Sequence, residues 1–248
     1  MLTSACAPEA GVLQASPGDR HPRGGHDSGG AGDTADTGDA PDSGPCPAEM
    51  AEVGEALCVD RWEGTIEDWS PYEVPEGGVA VSEAGVPPQG YISGEVAEAA
   101  CEAAGKRLCS LNEWLLACSG TEGRTYPYGN TYDLYACNDT YGGTHPVIDY
   151  FGTSEGIWDM EHMNDPGINQ QPGTVSLTGE FTGCVTPEGV FDLHGNLHEW
   201  ISDPNGTFKG GFYADAVING PGCTYTTTAH EFSYHDYSTG FRCCAEPR

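Results

Sequence analysis

Gly189-Val190-Phe191-Asp192-Leu193-His194-Gly195-Asn196-Leu197-His198-Glu199-Trp200 is the stretch on which the reading of this chain turns. It sets two acids, two histidines, an asparagine, a glycine turn and a tryptophan close together, and neither a period-2 nor a period-3.6 apolar pattern accounts for more than part of it. On a helix, His194 and His198 would share one face at i, i+4 with a carboxylate beside them, an arrangement able to hold a transition metal. Gly195-Asn196 points to a turn instead. The other informative segment is the ending Gly240-Phe241-Arg242-Cys243-Cys244.

Outward from this block, composition limits the possibilities. The chain carries 9 Lys plus Arg against 38 Asp plus Glu, a formal net charge of −29. Such a field repels nucleic acid and anionic membrane surfaces, and leaves cationic partners or metal ions. No apolar run approaches the length needed to span a bilayer. Residues 1–45 read as a disordered acidic tether rich in Gly, Asp, Thr and Pro, with Asp33, Asp36, Asp39 and Asp42 at every third position and almost nothing to bury. Residues 46–248 suit one folded domain.

Eleven cysteines bear on the compartment. With no Cys-x-x-Cys pair and no zinc-finger spacing, a disulfide framework in an oxidising compartment is the better account, so the protein is expected to be exported, to the periplasm, the outer membrane or outside the cell. Cys6 stands apart. Leu2-Thr3-Ser4-Ala5-Cys6 has the small residues that precede the cysteine of a lipoprotein cleavage site, and lipidation of Cys6 is the expected membrane attachment.

Local signals place two helices. Ser93 offers an N-cap to the Ala-rich run ending at Gly105. Ser110-Leu111-Asn112-Glu113 has the form of a capping box, with Trp114, Leu115, Ala117 and Cys118 as the buried stripe of the helix that follows. Beyond Gly120 the chain reads as loops and short strands.

Six motifs in order, Gly105-Lys106-Arg107-Leu108, Glu113-Trp114, Tyr126-Pro127-Tyr128-Gly129-Asn130, Asp192 to Trp200, Lys209-Gly210-Gly211 and Gly240-Phe241-Arg242, resemble the formylglycine-generating enzyme (sulfatase-modifying factor) family over residues 46–248. The resemblance implies an irregular, loop-rich α+β fold related to C-type lectins, with two helices and short antiparallel strands, cross-linked by disulfides. It implies the pairs Cys101–Cys243 and Cys118–Cys223; the remaining cysteines are assigned by neighbourhood as Cys109–Cys244, Cys137–Cys184 and Cys46–Cys58. It also implies a structural Ca²⁺ held by Asp192, the carbonyls of Gly195 and Leu197, and Glu199, hard oxygen ligands in a tight turn. Because the family usually has an aromatic residue where His198 stands, His198 reads as a packing replacement.

Enzymes of this family carry a serine after the paired glycines and then two cysteines, which bind copper as thiolates and oxidise a substrate cysteine to formylglycine. Here Phe212 stands at the serine position and Asp215 at the first cysteine position, and no cysteine follows before Cys223. A carboxylate is a hard ligand and a poor substitute for a thiolate on Cu(I). The expectation is therefore a domain without the copper site that binds a protein or a glycan through its loops. Copper-dependent oxidation of a sulfatase cysteine, or another oxidation of the same family, is the competing reading. Tyr126, Tyr128, Tyr132, Tyr135, Tyr141, Trp158, Tyr213, Tyr225 and Tyr234 are the aromatic candidates for a binding surface.

Overall fold

The computed structural model describes residues 44–228 and 230–248. Cys6 and the tether, apart from Gly44 and Pro45, lie outside the described residues. Among those described, no helix is long and apolar enough to cross a membrane.

Capping fixes the two longer helices. The Ser93 hydroxyl accepts from the Val96 amide and starts α1 (Gly94–Ala103). Ser110 and Glu113 exchange hydrogen bonds with each other's backbone amides at the head of α2 (Leu111–Ser119), which satisfies two donors that the first helical turn would otherwise leave bare. Two short helices were not foreseen from the sequence: α3 (Pro146–Phe151) and α4 (Met160–Met163). The local signal for α3 is a proline in its first turn and a left-handed Gly152 behind its end.

Among the described residues, ten short strands form three sheets. In the first, β1 (Met50–Val53), β2 (Leu57–Asp60), β10 (Cys243–Ala245) and β5 (Arg107–Leu108) lie side by side in that order, all antiparallel. A two-stranded ribbon joins β3 (Gly64–Ile66) to β4 (Ala80–Ser82). The third sheet runs β8 (Thr226–Thr227), β7 (Phe208–Lys209), β6 (His198–Trp200), β9 (Thr239–Phe241). There the last pair is parallel, with His198 opposite Thr239 and Trp200 opposite Phe241, an exception to the expected antiparallel pattern. It sets the two signature segments next to each other.

The core falls into packed groups that the disulfides cross-link. Trp114, Val59, Val190, Leu193 and Ile201 pack with Cys109–Cys244 and Cys118–Cys223. Trp200, Phe208, Phe241 and Ile92 pack with Cys101–Cys243. A third group, Tyr91, Val147, Met163, Ile168, Tyr213 and Tyr237, lies around α3 and α4. Cys46–Cys58 and Cys137–Cys184 close smaller loops. In a chain with 36 glycines and 18 prolines, such closures restrict an unfolded state that would otherwise be favoured by its entropy, at about 2–4 kcal/mol each.

Candidate functional site

The parallel pairing of β6 and β9 gives the two signature segments their chemistry. Arg242 is fully buried, and its Nε lies 2.9 and 2.8 Å from the two carboxylate oxygens of Glu199. Its Nη1 donates to the Asp60 carbonyl and its Nη2 to the Phe191 carbonyl, each at 2.8 Å. Trp114 Nε1 donates to Glu199 Oε2 at 2.6 Å, so the motifs of α2, β6 and the chain end meet at one carboxylate.

Glu63, which no sequence pattern singled out, is buried beside this pair. One of its oxygens accepts from the Leu197 amide at 3.1 Å and the other from Asn196 Nδ2. Asn196 Oδ1 in turn accepts from Asn138 Nδ2 and from the amide and hydroxyl of Ser176. Gly195 makes this turn possible: its φ is +79°, and a Cβ would collide with the Asn138 carbonyl.

Glu63, Asp192 and Glu199 place three buried carboxylates around one guanidinium. Burial and the neighbouring acids raise Glu63 well above the usual carboxylate range, and burial pushes Asp192 up to about 7. In charge and ligand type the set fits a hard cation such as Ca²⁺. Its carboxylates are already engaged, however. Asp192 Oδ2 accepts from the Gly179 amide at 2.7 Å, and a metal at Glu199 would share that carboxylate with Arg242 and Trp114.

His194 and His198 part company. His194 Nε2 lies 3.1 Å from Asp139 Oδ2, while His198 stacks on Tyr225 and packs against Phe208 and Phe212. Burial lowers His198 to about 3, so the ring is neutral and behaves as an aromatic packing group. Among the described residues no group of three or more His, Cys, Asp or Glu side chains is arranged to hold a metal.

The loop after β7 makes the surface feature of greatest chemical interest. Gly210 and Gly211 have φ of +87° and +77°, and a Cβ at Gly211 would run into Ala216. The chain then closes a tight turn, with the Phe212 amide donating to the Asp215 carbonyl at 2.9 Å and the Asp215 amide to the Phe212 carbonyl at 3.1 Å. Asp215 Oδ1 accepts from the amides of Val217 and Ile218, and Oδ2 accepts from the Tyr225 hydroxyl at 2.9 Å. Tyr213 anchors the turn below: its hydroxyl donates to Asn169 Oδ1 and its amide to the Asn196 carbonyl.

This turn forms one wall of a cleft of about 300 Å³; Tyr141, His145, Trp158, Phe212, Asp215 and Tyr237 are among its lining residues. The rings meet at steep angles: 81° for His145 and Trp158, 74° for His145 and Tyr237, 73° for Phe212 and Tyr237. Trp158 is 69% exposed and Ile218, on the rim, 80%. Of the nine aromatic candidates, Tyr141 and Trp158 line the cleft, while Tyr126, Tyr213 and Tyr225 are buried as packing groups. His145 and Tyr237, missed from sequence, reach the cleft through α3 and the approach to β9. A shallower groove elsewhere, of about 530 Å³, is lined mainly by Trp62, Leu177 and Phe191 and carries Glu180 as its one ionisable side chain.

All ten cysteines from Cys46 to Cys244 are in disulfides, so no thiolate among the described residues is available to hold Cu(I).

Comparison with known proteins bears on the same residues. The family model described as the sulfatase-modifying factor enzyme 1-like domain matches residues 60–247. Among solved structures, PvdO from Pseudomonas aeruginosa is similar at 15% identity and a TM-score of 0.51, over 77% of this chain and 80% of that one. The I1 variant of the Major Tropism Determinant is similar at 13% identity and a TM-score of 0.50, over 82% of this chain and 54% of that one, so the chain spans about half of that protein's length. At these identities the likeness shows the fold alone. No curated protein matches.

Proposed function

The chain belongs to the sulfatase-modifying factor enzyme 1-like family, and on that premise we propose that it is an exported binding domain that holds a protein or glycan ligand in the aromatic cleft. The observation that carries the reading is the turn after the paired glycines. Where the oxidases that the chain resembles have a serine and then a copper thiolate, Phe212 and Asp215 here close a turn that walls an aromatic cleft. Concave sites rich in aromatic side chains with a few fixed polar groups are where ligands are bound. The rings and Asp215 supply those elements, and the disulfides on the neighbouring core supply rigidity.

Export is supported by the five disulfides, which persist in oxidising compartments. Attachment to a membrane through a lipid on Cys6 belongs to the same reading. So does the structural Ca²⁺ that the resemblance implies at Asp192, the carbonyls of Gly195 and Leu197, and Glu199, where it would have to share Glu199 with Arg242 and Asp192 with the Gly179 amide. Added Ca²⁺ should raise the unfolding temperature, and an unchanged temperature would remove the metal from the account.

The functional test has two arms. With copper, oxygen and a Cys-x-Pro-x-Arg peptide, the protein should form no aldehyde; copper-dependent conversion would replace the binding reading with an oxidase. On protein and glycan arrays, retention of a ligand should be lost in Trp158→Ala, a change at an exposed ring that leaves the core intact. Retention unchanged in that variant would place binding outside the cleft.

A further inference from the structure

Resting on the cleft as the binding site, we propose that the group it receives is a quaternary ammonium, an alkylated cation without N–H donors. Tyr141, His145, Trp158, Phe212 and Tyr237 are among the cleft's lining residues, the last four packed edge-to-face on one another, with the Asp215 carboxylate beside them. The negative face of an aromatic ring attracts a cation, and rings on several sides form the kind of box in which such cations are held. Size permits this, since a cleft of about 300 Å³ has room for a small head group.

The protein supplies no positive charge of its own here. No lysine or arginine is among the lining residues. Elsewhere, Lys106 pairs with Asp60, Arg107 with Glu113, Arg124 with Glu188 and Arg242 with Glu199. Burial lowers the pKa of His145, the basic side chain in the wall. Asp149 adds a second negative group just behind the wall, where its Oδ2 accepts from the Thr144 amide at 2.8 Å.

Hydrogen bonding selects the kind of cation. Asp215 already accepts from two amides and the Tyr225 hydroxyl, and so offers charge more readily than a vacant acceptor. A primary ammonium brings three donors that would have to give up water for rings. A quaternary ammonium brings none. Its charge and its methyl groups both match the walls.

Calorimetric titration of the full chain with choline, with its uncharged isostere 3,3-dimethylbutan-1-ol and with n-butylammonium tests the proposal. Choline should bind saturably, at least about tenfold more tightly than either comparison compound, the size expected of a desolvated cation–π site. Trp158→Ala should weaken choline by about tenfold with an unchanged circular-dichroism spectrum, and Asp215→Asn should weaken choline while leaving the isostere as before. A trimethyllysine peptide binding more tightly than choline would identify a protein-borne cation, and the reverse a free or small-molecule one; both support the proposal. Equal affinity for choline and its isostere, no saturable choline binding, or choline affinity unaffected by Trp158→Ala would each overturn it. If Trp158→Ala still abolished retention of an array ligand in those cases, the cleft would remain the binding site and only the assigned cation would be lost.

Discussion

Two of the long disulfides make an informative contrast, because the one that spans more sequence should contribute less stability. Cys101–Cys243 bridges 142 residues and Cys118–Cys223 bridges 105. Taken singly, loop entropy ranks the first higher. The bonds are nested, however, and Cys109–Cys244 stays in place when either is removed. With it present, the shortest ring closed by Cys101–Cys243 runs only through the short segment to Cys109 and across the adjacent Cys243 and Cys244, on the order of 10 residues. The shortest ring closed by Cys118–Cys223 is on the order of 30 residues. The chain-entropy relation then gives about 2.6 kcal/mol for the former and about 3.7 kcal/mol for the latter. All four sulfurs are buried, so the cavities left by paired alanines offset one another in the comparison. Urea unfolding of Cys101→Ala/Cys243→Ala and of Cys118→Ala/Cys223→Ala, each with the other four bonds intact, should show the second to be the less stable by about 1 kcal/mol. A larger loss from the first pair would refute the nested-loop reasoning.

Other expectations follow from individual contacts. Arg242→Met strands the buried Glu199, Glu63 and Asp192 carboxylates and should cost about 3–5 kcal/mol in urea unfolding, with a loss under 1 kcal/mol counting against the network. His198→Phe removes a ring whose Nδ1 is buried without a partner while keeping its stacking on Tyr225, and should raise the unfolding temperature; a fall would argue for a polar role of His198. Lys209 is buried, with Nζ donating to Thr226 Oγ1, and burial lowers it to about 8. Its folded pKa lies below the unfolded value of 10.5, so the unfolded chain binds more protons between these limits and stability rises with pH across that window. Between pH 7.5 and 9.5 the wild type should therefore gain about 1–2 kcal/mol relative to Lys209→Met, and a constant difference would contradict the assignment.

What could be read in the sequence is local or motif-borne. Ser93 and the Ser110–Glu113 capping box mark their helices because a cap acts within one turn. The Asp192–Trp200 block and Gly240-Phe241-Arg242 carry the family resemblance, yet nothing in either segment states that Glu199 and Arg242 meet across parallel strands. Glu63 escaped notice for the same reason: a lone acid between Trp62 and Gly64 looks like any surface acid until the fold brings the Leu197 amide to it. The cleft was legible in part. Phe212 and Asp215 stood out against the family pattern, and Tyr141 and Trp158 were candidates by type. His145 and Tyr237 reach it from opposite ends of a long loop-rich stretch, so their convergence lies in tertiary structure alone. Tyr213 and Tyr225 were misplaced on the surface because a tyrosine whose hydroxyl finds Asn169 or Asp215 is as readily buried as exposed.

The measurement closest to the central claim is alkylation of thiols under denaturing, non-reducing conditions, with intact mass and peptide mapping, on protein made in an oxidising compartment. A binding domain on a fully cross-linked frame should take no label at any of the ten cysteines from Cys46 to Cys244. Reproducible labelling of two of them would reveal a thiol pair able to hold copper, and would contradict the account.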